Sequence, residues 1–319
     1  MADSEYIIKK SGMITDDIYH LDILQYNLPR SCSIYILMTP ESITIMDIGT
    51  SDDVDSILTF LTENNILLEK VKYLVPSHHH FDHFGGGWKL WKKIKEYSPD
   101  VKIVTTETTK RLLQDSKEHL RRAKRTFGKH IGIMKPLPDD AYKIVKENES
   151  IPIPGLKKQF KLISTPGHTS DHVCPTVSNN GINEFVYIGE CAGGLMHSQK
   201  LVTVPSSMPP EFNFKIYMES LRKIIDLKPL NVGFAHAGVV RGQEGVKKVL
   251  MEHVDFSNYF RDFVKNKYSE KGKTRYVVEQ FATLEMKKRS DVSYNELFSN
   301  YAVAVVYGQL IDLGLKEPK

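Results

Sequence analysis

Six residues constrain this chain more than any other stretch: His78-His79-His80-Phe81-Asp82-His83. They follow the apolar run at 71–75, which predicts a buried strand, and they precede three glycines at 85–87. Successive strand residues point to opposite faces, so the imidazoles of His78 and His80 project the same way. After the turn, Asp82 and His83 can address a second point nearby. Imidazole is the commonest protein ligand for metals, so the segment predicts a metal centre, and two ions about 3.5–4 Å apart form a hydrolytic pair.

Three further ligand candidates each follow a predicted strand from a distant part of the chain. His168 ends the segment Thr165-Pro166-Gly167-His168, where proline and glycine break the strand at 160–164. Glu190 follows a strand at 184–189, which the hairpin signal Asn180-Gly181 precedes. His236 follows a short strand at 232–235. Two ions need more than four ligands, and these strand ends supply the remainder.

Together these segments resemble the metallo-beta-lactamase superfamily of binuclear metallohydrolases. The matching positions are H-x-H-x-D-H at 78–83, T-P-G-H at 165–168, the Gly-acid pair at 189–190, His236 and an early D-x-G at 47–49. The resemblance spans about residues 15–240 and implies an α+β fold, the αββα four-layer sandwich. It implies a catalytic domain at 1–240 and a C-terminal helical extension at 241–319, packed near the active-site mouth. The tail and the segment 165–172 are most similar to the glyoxalase II-like branch.

The resemblance also implies how the ligands are shared. One metal would be held by His78, His80 and His168, the other by Asp82, His83 and His236, with Glu190 as the bridge. A hydroxide between the ions would be the nucleophile, because a bound divalent cation lowers the pKa of its water toward neutrality. Asp82 would be the catalytic residue that steers the hydroxide or relays its proton. The expected cofactors are two divalent ions, zinc first, with iron or manganese as alternatives.

The bridging position departs from the family, which usually has aspartate there. Glu190 is one methylene longer, so it could bridge with a different metal spacing, or bind one metal and leave a mononuclear site. Cys191 is the neighbouring residue and a softer zinc ligand. His172 could orient a ligand or touch the substrate, and His79 should point away from the metals. The other histidines are interpreted as surface or packing residues: His20, His119, His130, His197 and His253.

Composition restricts the classes of protein that fit. The 319 residues suffice for one large domain with an extension, and 41% hydrophobic and 26% charged residues are typical of a globular protein. The net charge of +4 indicates no general attraction to nucleic acid. Three cysteines without a repeated spacing favour a reducing compartment, and no secretion signal or membrane span is apparent. We therefore expect a cytoplasmic protein with a small-molecule substrate and no membrane partner. A homo-oligomer is compatible with the sequence.

Helical patterns complete the outline. Apolar residues at 54, 57, 58 and 61 have the spacing of an amphipathic helix. A basic helical stretch at 107–133 is either a patch for phosphate or acidic substrates or a solvated face; interleaved acidic residues favour the latter. Residues 242–319 read as wholly helical, and Ser293-Tyr294-Asn295-Glu296 is a capping box that opens the last helix.

The leading functional hypothesis is a metal-dependent hydrolase of a small ester or thioester-type substrate. One alternative is a mononuclear iron oxygenase of the persulfide dioxygenase type, for which His78, His168 and Glu190 could supply the facial triad. Others are a phosphodiesterase or nuclease, and a non-catalytic binding protein. The physiological substrate lies beyond the sequence, because specificity depends on pocket shape.

Overall fold

Two sheets form the centre of the computed structural model, which describes residues 2–292 and 296–318. Within these residues the strands are, in chain order, β1 (Ile7–Ile8), β2 (Gly12–Met13), β3 (Ile18–Asp22), β4 (Ser33–Met38), β5 (Ile43–Met46), β6 (Val71–Val75), β7 (Lys102–Thr105), β8 (Tyr142–Ile144), β9 (Ser150–Ile151), β10 (Gln159–Ser164), β11 (Val173–Asn179), β12 (Ile182–Gly189), β13 (Asn231–Phe234) and β14 (Gly238–Arg241). One sheet has the order β2-β3-β4-β5-β6-β7-β8 and the other β1-β14-β13-β12-β11-β10-β9. Both are mixed, with parallel pairs from β5 to β8 and between β12 and β13.

Helices cover both outer faces and form the tail. The α-helices are α1 (Val54–Glu63), α2 (Phe81–Phe84), α3 (Gly87–Lys95), α4 (Glu107–Gln114), α5 (Lys117–Phe127), α6 (Phe214–Asp226), α7 (Gln243–Lys271), α8 (Thr274–Phe281), α9 (Lys287–Arg289) and α10 (Glu296–Asp312). Short 3-10 helices occupy Asp3–Glu5, Gln25–Asn27, Leu68–Lys70, Gly128–Ile131 and Asp139–Ala141, and Ala282–Met286 is a π-helical turn. Within the described part of the chain, no helix combines the length and apolar character needed to cross a lipid bilayer.

Strand β4 shows how the layers are built. Its side chains are buried on both faces: Ile34 and Ile36 pack outward against α1 and α3. Tyr35 and Leu37 point into the space between the sheets, where they meet aromatic residues of the other sheet such as Phe185. Because side chains alternate along a strand, one apolar run serves two cores. Helices α6 and α7 cover the second sheet, and the result is the αββα four-layer sandwich predicted from the sequence.

The C-terminal helices enclose a further apolar cluster. Phe260 of α7, Phe281 at the end of α8 and Val305 of α10 belong to it. Helix α10 also contacts α5 and α7. The capping box at 293–296 lies outside the described residues except for Glu296, the first residue of α10.

The elements predicted from hydrophobic periodicity are present, with bounds shifted by a few residues. The hairpin signal is confirmed as well, since Asn180 and Gly181 both have positive φ and join the antiparallel β11 and β12. The four strands at the sheet edges, β1, β2, β8 and β9, have two or three residues and were not predicted from the sequence, and neither were β11 and β14. The basic stretch at 107–133 is broken into α4, α5 and the 3-10 turn Gly128–Ile131.

Candidate metal centre

The candidate ligands come from four strand ends on one rim of the sandwich. Strand β6 leads into His78, β10 into His168, β12 into Glu190 and β13 into His236. The turn after β6 continues into α2, which carries Asp82 and His83. The tertiary structure therefore brings together all seven residues predicted as metal ligands, although up to 158 positions of sequence (from 78 to 236) separate them.

The first ligand group consists of His78, His80, His168 and Glu190, whose ligand atoms lie within 4.8 Å of one another. Oε2 of Glu190 is 2.7 Å from Nε2 of His168 and 3.6 Å from Nε2 of His78. Nδ1 of His80 is 3.2 Å from Nε2 of His168. Three imidazoles and a carboxylate converging on one small volume form a donor set that suits zinc and other first-row metals.

The second group consists of Asp82, His83 and His236, again with ligand atoms within 4.8 Å of one another. Oδ2 of Asp82 is 3.9 Å from Nε2 of His83 and 4.0 Å from Nε2 of His236. Glu190 reaches this group too, because its Oε2 is 3.3 Å from His83 and its Oε1 is 3.9 Å from His236. The Glu190 carboxylate thus lies between the two groups.

Four of the five imidazoles in these groups are oriented through Nδ1 by a partner outside the cluster. Nδ1 of His83 donates to Asp47, that of His168 to the carbonyl of Ser206 and that of His236 to the carbonyl of Ser31. Nδ1 of His78 bonds to the hydroxyl of its neighbour Ser77. A bond at Nδ1 presents Nε2 inward, which is how metal-binding histidines are usually fixed.

The inward nitrogens of His78 and His83 test whether a cation fits. Both Nε2 atoms are buried and have no hydrogen-bond partner among the described residues, although each faces the Glu190 carboxylate. A buried polar nitrogen without a partner is costly. A cation coordinated between these nitrogens and Glu190 removes that cost, so the residues present fit a metal.

Protonation states favour the same interpretation. Burial lowers the pKa of both His78 and His80 well below the ordinary value, and the neighbouring imidazoles lower it further, so both rings are neutral and able to ligate. Burial raises the pKa of Glu190, but His168, His83 and His236 outweigh it and hold that pKa well below its usual range. The bridging candidate is therefore an anion at neutral pH.

Asp47 is a buried carboxylate that orients His83 of the second ligand group. Its carboxylate is fully buried and accepts hydrogen bonds from the backbone and hydroxyl of Ser77, from Nδ1 of His83 and from the hydroxyl of Tyr187. Burial lowers the pKa of His83, but Asp82, Asp47 and Glu190 overcome this and raise it well above the ordinary value. The bond from Nδ1 to Asp47 directs Nε2 of His83 toward the centre, where a bound metal would displace the Nε2 proton.

Glu190 is positioned through its own backbone. Gly189 has a φ of +51°, and a Cβ there would lie 2.6 Å from Nε2 of His172, so this turn requires glycine. Nε2 of His172 accepts from the N–H of Glu190 and its Nδ1 bonds to Thr165. These contacts correspond to the ligand-orienting alternative for His172 rather than to a substrate contact.

Cys191 lies next to Glu190 in the chain but points elsewhere. Its side chain is buried in the apolar cluster beneath the second sheet, and it interacts with the thiol of Cys174. Among the described residues, the groups able to hold a metal do not include Cys191. The structure therefore places the Glu190 carboxylate, and not this thiol, between the histidines.

Two further histidines form part of the wall of the cleft. Nδ1 of His79 is 2.9 Å from Oδ1 of Asp171. His79 does not point clear of the first ligand group as alternation predicts, because ligand atoms of His79, His80 and His119 lie within 4.8 Å of one another. His119 of α5 stacks on His80 with 5.0 Å between ring centroids and accepts from the N–H of Phe81. Burial lowers the pKa of His119 to about 3. Sequence analysis missed this position, because a lone histidine on a basic helix carries no spacing signal.

A buried network connects the tail to the ligands. The hydroxyl of Tyr217 is 2.6 Å from Nε2 of His253 in α7 and donates to the carbonyl of Glu190. Ser206, whose carbonyl holds His168, also donates to the carbonyl of Glu190 and bonds to Tyr217. Sequence analysis interpreted His253 as a surface or packing residue; the structure shows a fully buried ring in this network. No local motif distinguishes it from other polar residues of a long helix.

Comparisons with known proteins agree with this architecture. The model of the Metallo-beta-lactamase superfamily matches residues 27–182. The metallo-beta-lactamase fold-containing protein ST1585 of Sulfurisphaera tokodaii is 33% identical over 231 residues, which cover 71% of this chain and 78% of that protein.

Solved structures extend the likeness into the tail. The crystal structure of ST1585, from Sulfolobus tokodaii, aligns over 92% of this chain and 98% of its own, with a TM-score of 0.65 and 23% identity over that longer alignment. The metallo-beta-lactamase family protein TTHA1429 of Thermus thermophilus aligns over 95% and 94%, with a TM-score of 0.64 and 15% identity. A subclass B3 metallo-beta-lactamase with an active-site glutamic acid aligns over 78% and 89%, with a TM-score of 0.55 and 14% identity. From its sequence match and its fold, the chain belongs to the metallo-beta-lactamase superfamily.

Proposed function

We propose that this protein is a metal-dependent hydrolase of a small ester or thioester-type substrate, working at a binuclear site. The observation that carries the proposal is the position of Glu190, whose carboxylate oxygens lie within 4 Å of histidines from both ligand groups. The proposed ligands are His78, His80 and His168 for one ion, Asp82, His83 and His236 for the other, and Glu190 for both. Divalent ions held there, in our proposal zinc, supply a water of lowered pKa and polarise a carbonyl.

The residues of the chain set up this chemistry before any substrate enters. The buried neutral rings of His78 and His80 need no deprotonation to ligate. The anionic Glu190 offsets part of the positive charge of two cations. A solved subclass B3 metallo-beta-lactamase of the same fold also has an active-site glutamic acid.

Asp82 is the proposed catalytic residue. Its side chain is partly exposed to the cleft, so it can accept a hydrogen bond from an attacking water and take its proton. Its backbone carbonyl accepts from the amide of Gln25, which also donates to Asp53 and so fixes the start of α2. The carboxylate is thereby held at the floor of the cleft, where substrate can approach.

The C-terminal residues 241–319 are proposed as an extension that completes the cleft, with residues 1–240 as the catalytic domain. Leu297, Phe298 and Tyr301 of α10 line the same cleft as Asp82 and Glu190. Strand β14 ends at Arg241, one residue past this division. A covering tail is the feature that favours a thioesterase-like member of the glyoxalase II-like branch.

The test begins with protein stripped by a chelator and reloaded with measured equivalents of zinc. We expect hydrolysis of S-acetyl-N-acetylcysteamine to be lost on stripping and restored as two equivalents bind, with much weaker turnover of bis(p-nitrophenyl) phosphate. His80→Ala should lose metal and activity while its circular dichroism is unchanged. His197→Ala is the matched control, because His197 lies outside both ligand groups.

Metal analysis of protein purified without added metal separates the alternatives. Two zinc ions per chain support the proposal. A single iron with oxygen uptake in the presence of a persulfide supports the oxygenase instead, and preferential turnover of the phosphodiester supports the nuclease. Unchanged thioester turnover in His80→Ala would remove the proposed centre from the reaction.

A further inference from the structure

The cleft above Glu190 is divided into two lobes of different character. Both lobes are bounded by Asp82 and Glu190, and Phe81, Phe127 and Met208 form the partition between them. The lobes therefore meet over the same point of the floor, beside both ligand groups. A molecule whose reacting bond lies at that point must extend one substituent into each lobe.

The first lobe is apolar. Leu28, Met196, Val204 and Leu297 contribute to its wall, together with the aromatic rings of Tyr26 and Phe298. Helix α10 and the loop after β12 pack against each other and supply part of the wall, and residues 25–31 supply another part. The free space in this lobe is about 120 Å³, a volume that holds a short apolar group rather than a long fatty chain.

Three of the polar side chains that line this first lobe, Gln25, Ser31 and Tyr301, have their donors committed elsewhere. The amide of Gln25 donates to Asp53 and to the carbonyl of Asp82. The hydroxyl of Ser31 donates to backbone carbonyls, and that of Tyr301 to the carbonyl of Pro205. A polar or anionic substituent placed here loses its hydration and finds no spare donor on these three side chains, which is costly.

The second lobe is more polar than the first, although apolar side chains also line it, and it has about 240 Å³ of free space. Ionisable side chains line it, including His79, His119, Arg122 and Glu211. Nε of Arg122 lies 2.7 Å from Glu118, and the Arg122 side chain retains 37% of its exposure. Glu211 retains 32%. Both side chains therefore keep part of their surface accessible to a ligand, although Oε2 of Glu211 already accepts from Ser170.

From this division, and resting on the proposed function, we infer that the substrate is amphiphilic. It carries a short apolar group on one side of the scissile carbonyl, seated against Leu297 and Met196, and a polar hydrogen-bonding group on the other side, seated near Arg122 and Glu211. Leu297 and Met196 are specificity-determining residues. They select the apolar substituent without taking part in the chemical step.

Binding is tested first, because it does not depend on turnover. The probes are the S-methyl and S-hexyl thioethers of N-acetylcysteamine, which cannot be hydrolysed, titrated calorimetrically into zinc-loaded protein. We expect the hexyl compound to bind about tenfold tighter or more, since each buried methylene contributes favourably. Leu297→Asp and, independently, Met196→Ser should reduce that preference to about threefold or less.

Val303→Asp is the matched control for Leu297→Asp, because Val303 lies on the same helix and is 44% exposed. It should keep the wild-type preference. Equal affinity of wild-type protein for the two thioethers, or equal loss of preference in Val303→Asp and Leu297→Asp, would overturn the inference.

Turnover then shows which side of the carbonyl is apolar. One series carries acetyl, butyryl and hexanoyl groups on N-acetylcysteamine, and the other carries methyl, butyl and hexyl thiols on N-acetylglycine. A rise in kcat/KM with chain length in either series, abolished by Leu297→Asp, supports the inference. Flat profiles in both series refute it. If neither series is hydrolysed but the thioether preference persists, the hydrolase proposal fails while the two-lobed binding site stands.

Discussion

Replacing Asp47 by asparagine tests whether the second ligand group depends on its buried anchor. Asp47 accepts from the Ser77 backbone through Oδ1 at 2.7 Å, and its Oδ2 accepts from Ser77, His83 and Tyr187. An amide has one acceptor oxygen, so its NH₂ must face a donor whichever way it turns. The less costly orientation keeps the oxygen toward His83 and leaves the N–H of Ser77 unpaired in a fully buried position.

The size of the effect follows from these contacts. An unpaired buried N–H costs roughly 1–3 kcal/mol, and loss of the charge weakens the remaining bonds, so we expect Asp47→Asn to lower the free energy of unfolding by about 3 kcal/mol. His83 also loses the partner that fixes its tautomer. Removal of such a partner typically costs about 10–100-fold in metal affinity, or about 1.4–2.7 kcal/mol. The reduced affinity should affect only one of the two bound zinc equivalents.

Two measurements separate these effects. Urea unfolding of metal-free protein gives the stability change, and competition with a chromogenic chelator gives the affinity for each zinc equivalent. Tyr187→Phe is the matched variant, because it removes one donor to the same carboxylate and does not touch His83. It should lose about 1–2 kcal/mol of stability and keep zinc affinity within about threefold. Wild-type affinity for both equivalents in Asp47→Asn would refute the role assigned to the anchor.

Three further predictions concern the bridge and the buried network. Glu190→Asp should retain two zinc equivalents and Glu190→Ala should lose at least one by mass-spectrometric metal analysis, whereas Cys191→Ala should lose none. Tyr217→Phe leaves the N–H of Gly193 and Nε2 of His253 without their hydroxyl partner, so urea unfolding should show a loss of about 1–3 kcal/mol. Burial lowers the pKa of His253 to about 3, so its ring stays neutral in the folded state while the unfolded chain takes up a proton below about pH 6.5. The protein therefore loses stability as the pH falls from about 6.5 toward 3, and His253 accounts for about 1.4 kcal/mol of that loss at pH 5.5. In His253→Gln, the difference in unfolding free energy between pH 7.5 and pH 5.5 should be smaller by that amount. An unchanged difference would contradict the buried, neutral state assigned to His253.

The ligand positions were open to prediction because each depends on a local signal. His78 and His80 follow an apolar strand at the alternation that puts them on one side, and His168 follows a Pro-Gly break. The strand ends belong to both sheets, β6 to one and β10, β12 and β13 to the other, so local patterns indicated each ligand position and the packing of the two sheets brings the positions together. Their grouping around Glu190 came from the family resemblance, and the distances agree with that grouping.

The supporting residues left no comparable signal. Tyr217 and His253 are 36 residues apart on two different helices, and neither interrupts a periodic pattern. His119 and Asp171 likewise meet His79 only because α5 and the loop before β11 fold over the same turn. A polar residue on a helix is usually solvated, so its burial beside a distant partner can be known only from the fold.

By itself, the sequence indicated the strands, the helices and the strand-end ligand residues, since hydrophobic periodicity and turn motifs act over a few residues; the αββα architecture and the grouping of the ligands were implied by the family resemblance. The tertiary structure alone decided which buried groups hold those ligands and how the cleft divides. The apolar lobe exists because α10 packs on the loop after β12 beside Glu190, although about a hundred residues of chain separate them. Such surfaces depend on packing between distant segments, and no single segment encodes them.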